Sequence, residues 1–178
     1  EKKFHDSKTY MESILKAAPI GIGLVHNRVL DWVSGRMNEM LGYSEDELIG
    51  KSARVAYTND EEYERVGRDK YAEIQERGIG AVETHFRRKD GSIIDVLLCS
   101  SPVHPPDLSK GVIFTALDIT ERKRAEEALR ESEERFRELA ELLPQPVFEM
   151  NLEANFTYSN RCGFEAFGYN QDDMEKGL

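Results

Sequence analysis

The spacing of hydrophobic positions changes several times along the chain, and each change marks an element. Met11, Ile14, Leu15 and Ala18 recur at helical spacing behind Ser7 or Thr9, either of which suits an N-cap, and Pro19 stops the run. Two β-branched runs follow, Ile20 to His26 and Val29 to Ser34. The Asn27-Arg28 pair between them fits a tight hairpin, although it is a weaker turn signal than Asn-Gly. From Gly35 the period is helical again: Met37, Met40 and Leu41 share a face until Gly42. Ser44 and Glu47 have the spacing of a capping box for a second short helix, which Gly50 ends. Asp60 opens a longer helix to about Arg77, with Tyr63, Val66, Tyr71 and Ile74 as its apolar stripe and Gly78 as its stop.

Strand patterning then takes over. Ala81 to Arg88 alternates, Lys89-Asp90-Gly91-Ser92 is a strong turn, and Ile93 to Val103 is a second strand. His104 to Ser109 contains Pro105-Pro106 and is expected to be loop, before a third, almost wholly apolar strand from Gly111 to Ile119. Two strands, several small helices and three further strands make an α+β domain over residues 12–119.

Residues 120–143 contain no Gly or Pro and are dense in Glu and Arg until the last residues, which predicts a long helix. Placing Arg122, Leu129, Phe136 and Leu143 at one heptad position puts Ala125, Ser132 and Leu139 at the other. Leu129, Phe136 and Leu139 are thus the seam residues of a coiled-coil dimer, although the seam is short and is interrupted by Arg122 and Ser132. The alternative is a solvated linker helix. Beyond it lies an internal repeat: Asn160 to Tyr169 (NRCGFEAFGY) echoes Ser34 to Tyr43 (SGRMNEMLGY). An offset of 126 matches Glu39 with Glu165, Gly42 with Gly168 and Tyr43 with Tyr169, and Pro146-Val147 stands one residue out of register with Pro19-Ile20. Glu1 in place of a Met predicts a piece of a longer protein.

Composition narrows the partners. Among 178 residues, 24 Lys and Arg face 34 Asp and Glu, a net charge of -10 that argues against a nucleic-acid surface. Cys99 and Cys162 are too few for a disulfide framework, and both suit packing roles. No apolar run is long enough for a membrane span, and a cytoplasmic location is expected, compatible with a membrane-tethered parent.

Four motifs in order resemble the PAS sensory-domain family, specifically the tandem modules of bacterial and archaeal signalling proteins such as histidine kinases. They are Ala18-Pro19-Ile20-Gly21-Ile22; Met40-Leu41-Gly42-Tyr43-Ser44 with Glu47-Leu48-Ile49-Gly50; Phe86 to Ser92 (FRRKDGS); and Ala116 to Lys123 (ALDITERK). Ser34 departs from the usual Asn, which the second copy has as Asn160. The resemblance implies a five-stranded antiparallel sheet of order 2-1-5-4-3 with short helices over one face. It divides the chain into an entering helix or linker (1–11), a complete PAS domain (12–119), a charged linker helix (120–143) and the truncated start of a second PAS domain (144–178).

No nucleophile elbow, zinc motif, phosphate loop or dinucleotide fingerprint is present, and none of His5, His26, His85 and His104 lies on the linker helix, so no catalysis is expected from this stretch. Gly21-x-Gly23 inside a strand is structural. Flavin-binding photosensors of the family carry a Cys where this chain has Ala53, and haem-binding relatives use a His on the longest internal helix, where this chain has none. No cofactor is therefore expected, and no metal site; an unknown small organic ligand remains open. Candidate pocket residues are Ile22, Leu24, Val55, Tyr57, Tyr63, Val66, Phe114 and Ala116, with the tyrosines offering hydroxyls in an apolar setting. Trp32 is placed on the outer face of the sheet, where a helix of a partner can pack. Asp118 or Thr120 can cap the linker helix with Glu121 as reciprocal partner, a junction suited to passing a change in the sheet to the helix. The function so implied is a sensory, relay and dimerisation module, forming a homodimer and serving an output domain in the same chain, most readily a histidine kinase. A ligand-free relay or protein-interaction domain, in a cyclic-dinucleotide enzyme or a transcription regulator, is the alternative.

Overall fold

The computed structural model describes residues 13–14, 17–168 and 170. The entering segment 1–11 with its Ser7 and Thr9 caps, Met11 and Leu15 of the apolar run, Tyr169 of the repeat, and residues 171–178 lie outside the described residues. The chain divides into two units, Glu1–Lys123 and Arg124–Leu178.

In the first unit, β1 (Gly21–His26) and β2 (Val29–Val33) form the expected hairpin, with Asn27 at φ 49° and Arg28 at φ 63° in its turn. Two positive φ values suit the right-handed twist of a two-residue hairpin, and a non-glycine pair adopts them at a cost. Contacts from the Arg28 side chain oppose that cost: its guanidinium lies 3.3 Å from the centre of the Tyr63 ring, donates to the Tyr63 carbonyl, and pairs with Glu64 at 3.1 Å. Helix α1 (Gly35–Leu41) turns Met37, Met40 and Leu41 into the core. Helix α2 (Glu45–Leu48) begins where the Glu47 carboxylate accepts from the Ser44 amide at 3.0 Å, and Lys89 anchors that carboxylate at 2.7 Å. A 3₁₀ turn (Ala53–Ala56) leads to α3 (Asp60–Arg77), capped by Asn59 and closed by Gly78 at φ 78°.

Strands β3 (Gly80–Arg87), β4 (Ile93–His104) and β5 (Asp107–Asp118) complete a sheet of order β2-β1-β5-β4-β3, every neighbouring pair antiparallel. The expected loop from His104 to Ser109 is shorter than its proline pair suggested. Both strands run on to pair His104 with Asp107 across a cis Pro105-Pro106 turn, and the Asp107 carboxylate accepts from the Ser109 amide at 2.9 Å.

The helices cover one face of this sheet, and β1 meets them in the opposite phase from the one its large side chains suggest. Gly21, Gly23 and Val25 are buried inward, while Ile22 and Leu24 are half-buried on the outer face. The reason is volume. A Cβ on Gly23 would collide with the Phe114 ring of β5, and one on Gly21 would stand 3.0 Å from the Met37 sulfur. The glycines leave room that these larger residues fill.

In the second unit, most of α4 (Thr120–Leu142) is solvent-exposed on its own, and Arg130 bonds Glu127 and Glu134 along it. A two-stranded hairpin, β6 (Phe148–Met150) and β7 (Phe156–Ser159), is followed by α5 (Arg161–Phe167), which Asn160 caps and Gly168 closes at φ 74°.

Candidate functional site

Between the inner face of the sheet, the 3₁₀ turn and α3 the first unit has a cavity of about 40 Å³. Tyr57, Tyr63 and Phe114, all named from sequence, line it together. The Tyr57 ring stands edge-on to Tyr63 at 5.3 Å and to Phe86 at 5.1 Å, which holds these rings in place. The other candidates lie elsewhere. Ile22 and Leu24 are on the outer face for the reason given above, so they are not pocket residues. Val55 borders an open surface depression beside the 3₁₀ turn. Val66 and Ala116 are wholly buried in core packing and do not border the cavity.

Arg28 and Lys70 line the cavity and had no place in the apolar pattern. Lys70 is 8% exposed, on the buried face of α3 with Val66 and Ile74. Its ammonium has no hydrogen bond and no ion pair among the described residues, and the Tyr71 ring lies 5.2 Å away. Burial, reinforced by the nearby Arg28 charge, lowers its pKa to about 8. Burial pushes the Tyr57 phenol upward, so it stays protonated as a donor at neutral pH. A sequence signal for Lys70 existed: Val66, Lys70 and Ile74 fall at i, i+4 and i+8, which places a charge inside an apolar stripe.

At the exit of the sheet, Asp118 accepts from the Thr120 amide at 3.0 Å and from Arg88 at 3.0 Å. Burial opposes its charge, and the Thr120 and Arg88 contacts outweigh that to hold the carboxyl below its ordinary range. Thr120 does not cap the helix through its side chain. Its hydroxyl faces back to β4 and accepts from the Asp95 amide at 2.9 Å, while the Asp95 carbonyl accepts from the Ile119 amide at 2.9 Å. Glu121 is exposed in the first turn of α4, and Arg122 and Lys123 reach Glu83 of β3 at 3.1 and 2.8 Å. On α4, Leu129, Phe136 and Leu139 are 61%, 47% and 58% exposed, and the Phe136 ring lies 6.3 Å from that of Tyr158. Trp32 is 37% exposed on the outer face, opposite Leu24. Among the described residues, no group of three or more His, Cys, Asp or Glu side chains is placed to hold a metal ion, and no helix is long and apolar enough to cross a membrane.

Residues 19–121 match the PAS domain family, and residues 134–178 match a PAS domain again. The chain belongs to the PAS family. Its strand order is the one that the sequence resemblance implied. Sensor protein TdiS of Thauera aromatica is 32% identical over 152 residues, covering 85% of this chain and 27% of that protein, so this tandem PAS segment spans about a quarter of its relative's length. Among solved structures, a sensory box histidine kinase/response regulator from Burkholderia thailandensis superposes with TM-score 0.55 at 20% identity, covering 72% of this chain and 98% of that one. The PAS domain of a protein from Colwellia psychrerythraea gives TM-score 0.58 at 16% identity, covering 64% and 97%.

Proposed function

We propose that this PAS pair is the sensory and relay segment of a sensor histidine kinase, with its output domain elsewhere in the parent protein. The observation that carries this is the match to a sensor protein along 85% of the chain, combined with an internal cavity and a sheet-to-helix junction in the same unit. In this reading the cavity takes a small molecule, and Asp118, Thr120 and Glu121 pass the resulting change to α4. Leu129, Phe136 and Leu139 then form the seam of a homodimer, because three large apolar groups exposed on one helix are better buried against a second copy.

No flavin adduct and no axially ligated haem belong to this reading. Ala53, where flavin-binding relatives carry the reactive Cys, borders the cavity, and α3 contains no His. A second reading, a relay that binds nothing, is favoured by the size of the cavity. One water needs a cavity of at least about 10–15 Å³, so 40 Å³ admits no more than a few water molecules. Native mass spectrometry and organic extraction of the purified chain separate the two readings. A stoichiometric small molecule is expected, and its repeated absence across expression hosts would favour the relay.

A further inference from the structure

We propose that the cavity of the first unit binds a short-chain carboxylate of two or three carbons, its anionic head against Lys70 and Arg28 and its alkyl end against the aromatic wall. This deepens the sensory reading above and rests on it.

Three observations carry the proposal. The first is charge. Two cationic side chains border one small cavity, and the pairing is lopsided: Arg28 has Glu64 at 3.1 Å, whereas the ammonium of Lys70 has no anionic partner among the described residues. A largely buried ammonium without a counter-charge is poorly solvated, and a second positive group close by adds to the cost. An anion entering the cavity relieves both costs at once.

The second is construction. Gly67 of α3 admits the guanidinium: a Cβ there would stand 2.8 Å from the central carbon of Arg28. Arg28 is held over the Tyr63 ring from a turn residue at φ 63°, so the side chain is fixed by contacts to α3. Tyr57 lines the cavity, and its hydroxyl, without a hydrogen-bond partner among the described residues, is available as a neutral donor. Fixed cations with a phenol donor suit a carboxylate, whose two oxygens accept several hydrogen bonds.

The third is size and polarity. Room for no more than a few waters corresponds to a small occupant of a few non-hydrogen atoms. Apart from Arg28, Lys70 and the tyrosine hydroxyls, the wall is apolar, with Phe114 and Phe86 among its members. An alkyl group is accommodated there, whereas a bare inorganic anion leaves that wall uncovered. Benzoate exceeds the space unless the rings move.

Isothermal titration of the full chain at pH 7 tests the proposal, with sodium acetate and propionate compared against acetamide, propionamide, benzoate and sodium chloride at equal ionic strength. The carboxylates are expected to bind at least about tenfold more tightly than the isosteric amides, a difference of about 1.4 kcal/mol. Lys70→Met, which replaces a buried charge with an apolar chain of similar length and therefore keeps the fold, is expected to lose binding by a similar factor; Arg28→Gln is expected to weaken it. Amides that bind as tightly as carboxylates, or unchanged binding in folded Lys70→Met, overturn the anion proposal and leave the sensory reading standing. Chloride binding as tightly as acetate overturns the alkyl part and with it the proposal. If no probe binds but native mass spectrometry retains a neutral molecule, the proposal falls and the sensory reading survives. If no probe binds and nothing is retained, both fall.

Discussion

Ser34 and Asn160 hold equivalent stations in the two units, each accepting one amide from the strand entry before it and one from the helix it caps. The Ser34 hydroxyl takes Ile22 at 3.0 Å and Met37 at 3.4 Å; the Asn160 carbonyl oxygen takes Val147 at 3.0 Å and Gly163 at 2.9 Å. Asn160 does more, because its amide nitrogen donates to the carbonyls of Ala140 at 2.7 Å and Gln145 at 2.9 Å. Serine has one donor hydrogen and a shorter reach, so the first unit lacks this additional pair of ties.

Asn160→Ala is therefore expected to weaken the second unit by about 1–3 kcal/mol, since it orphans buried backbone groups. Hydrogen exchange within Arg161–Phe167 is the measurement, with protection expected to fall by about tenfold or more. Unchanged protection would show that water replaces the side chain without loss.

Thr120→Val removes the acceptor for the Asp95 amide and keeps the shape of the side chain. A loss of about 1–3 kcal/mol in denaturant unfolding of the first unit is expected, with Thr120→Ser restoring most of it. A neutral Val variant would remove the clasp from any part in fixing the junction.

Gly23→Ala places a methyl against the Phe114 ring and 3.1 Å from the Trp32 carbonyl. Overpacking of this kind typically costs about 1–3 kcal/mol. Phe114→Leu shortens the offending side chain, so the double variant is expected to be destabilised by less than the sum of the two single changes. Strict additivity would mean that the collision is relieved by another route.

Lys70 makes alkaline stability diagnostic. Its folded pKa of about 8 lies below the 10.5 of the free side chain, so the unfolded chain binds more protons between those values. Stability of the first unit should accordingly rise as pH increases from about 8 toward 10.5, by about 3 kcal/mol at 1.36 kcal/mol per unit, relative to a Lys70→Met control that lacks the group. Below pH 8 the penalty is fully present, and there the Met variant should be the more stable of the two. Parallel pH profiles for the two proteins would disprove it.

The connector seam is checked by sedimentation velocity. Leu129→Glu with Phe136→Glu is expected to lower the dimer fraction while residues 12–118 stay folded, because each buried side chain contributes about 1.5–3 kcal/mol before the cost of association. A monomeric wild type at ~100 μM, well above the micromolar dissociation constants of a modest interface, would end the dimer proposal.

Much of this architecture was legible as pattern. The bounds of α3, the Asn27-Arg28 hairpin, the Lys89 to Ser92 turn and the Asn160 repeat follow from period, caps and turn chemistry, which are local properties. The site was less legible because it depends on what fills space from elsewhere. Ile22 and Leu24 looked inward-facing because they are the large residues of β1, yet Phe114, 91 positions beyond Gly23, decides which face has room. Lys70 is legible only as a charge inside the apolar stripe of α3, which periodicity alone counts as surface, and Arg28 is not legible because a turn residue is not expected to reach a cavity. Tyr57, Tyr63 and Phe114 were found because aromatic size alone carries them into the interior.

Asp95 is held by both of its backbone groups from consecutive residues, Ile119 and Thr120, and it pairs on its other side with His85. The start of α4 is consequently stitched to the strand beside the one it leaves. Two bonds to the backbone groups of a single residue concentrate the restraint at one point of β4. Asp95 thus works as an anchor point: both of its backbone groups fix where the first turn of α4 stands on β4, and the Arg122 and Lys123 contacts to Glu83 add a second hold on β3.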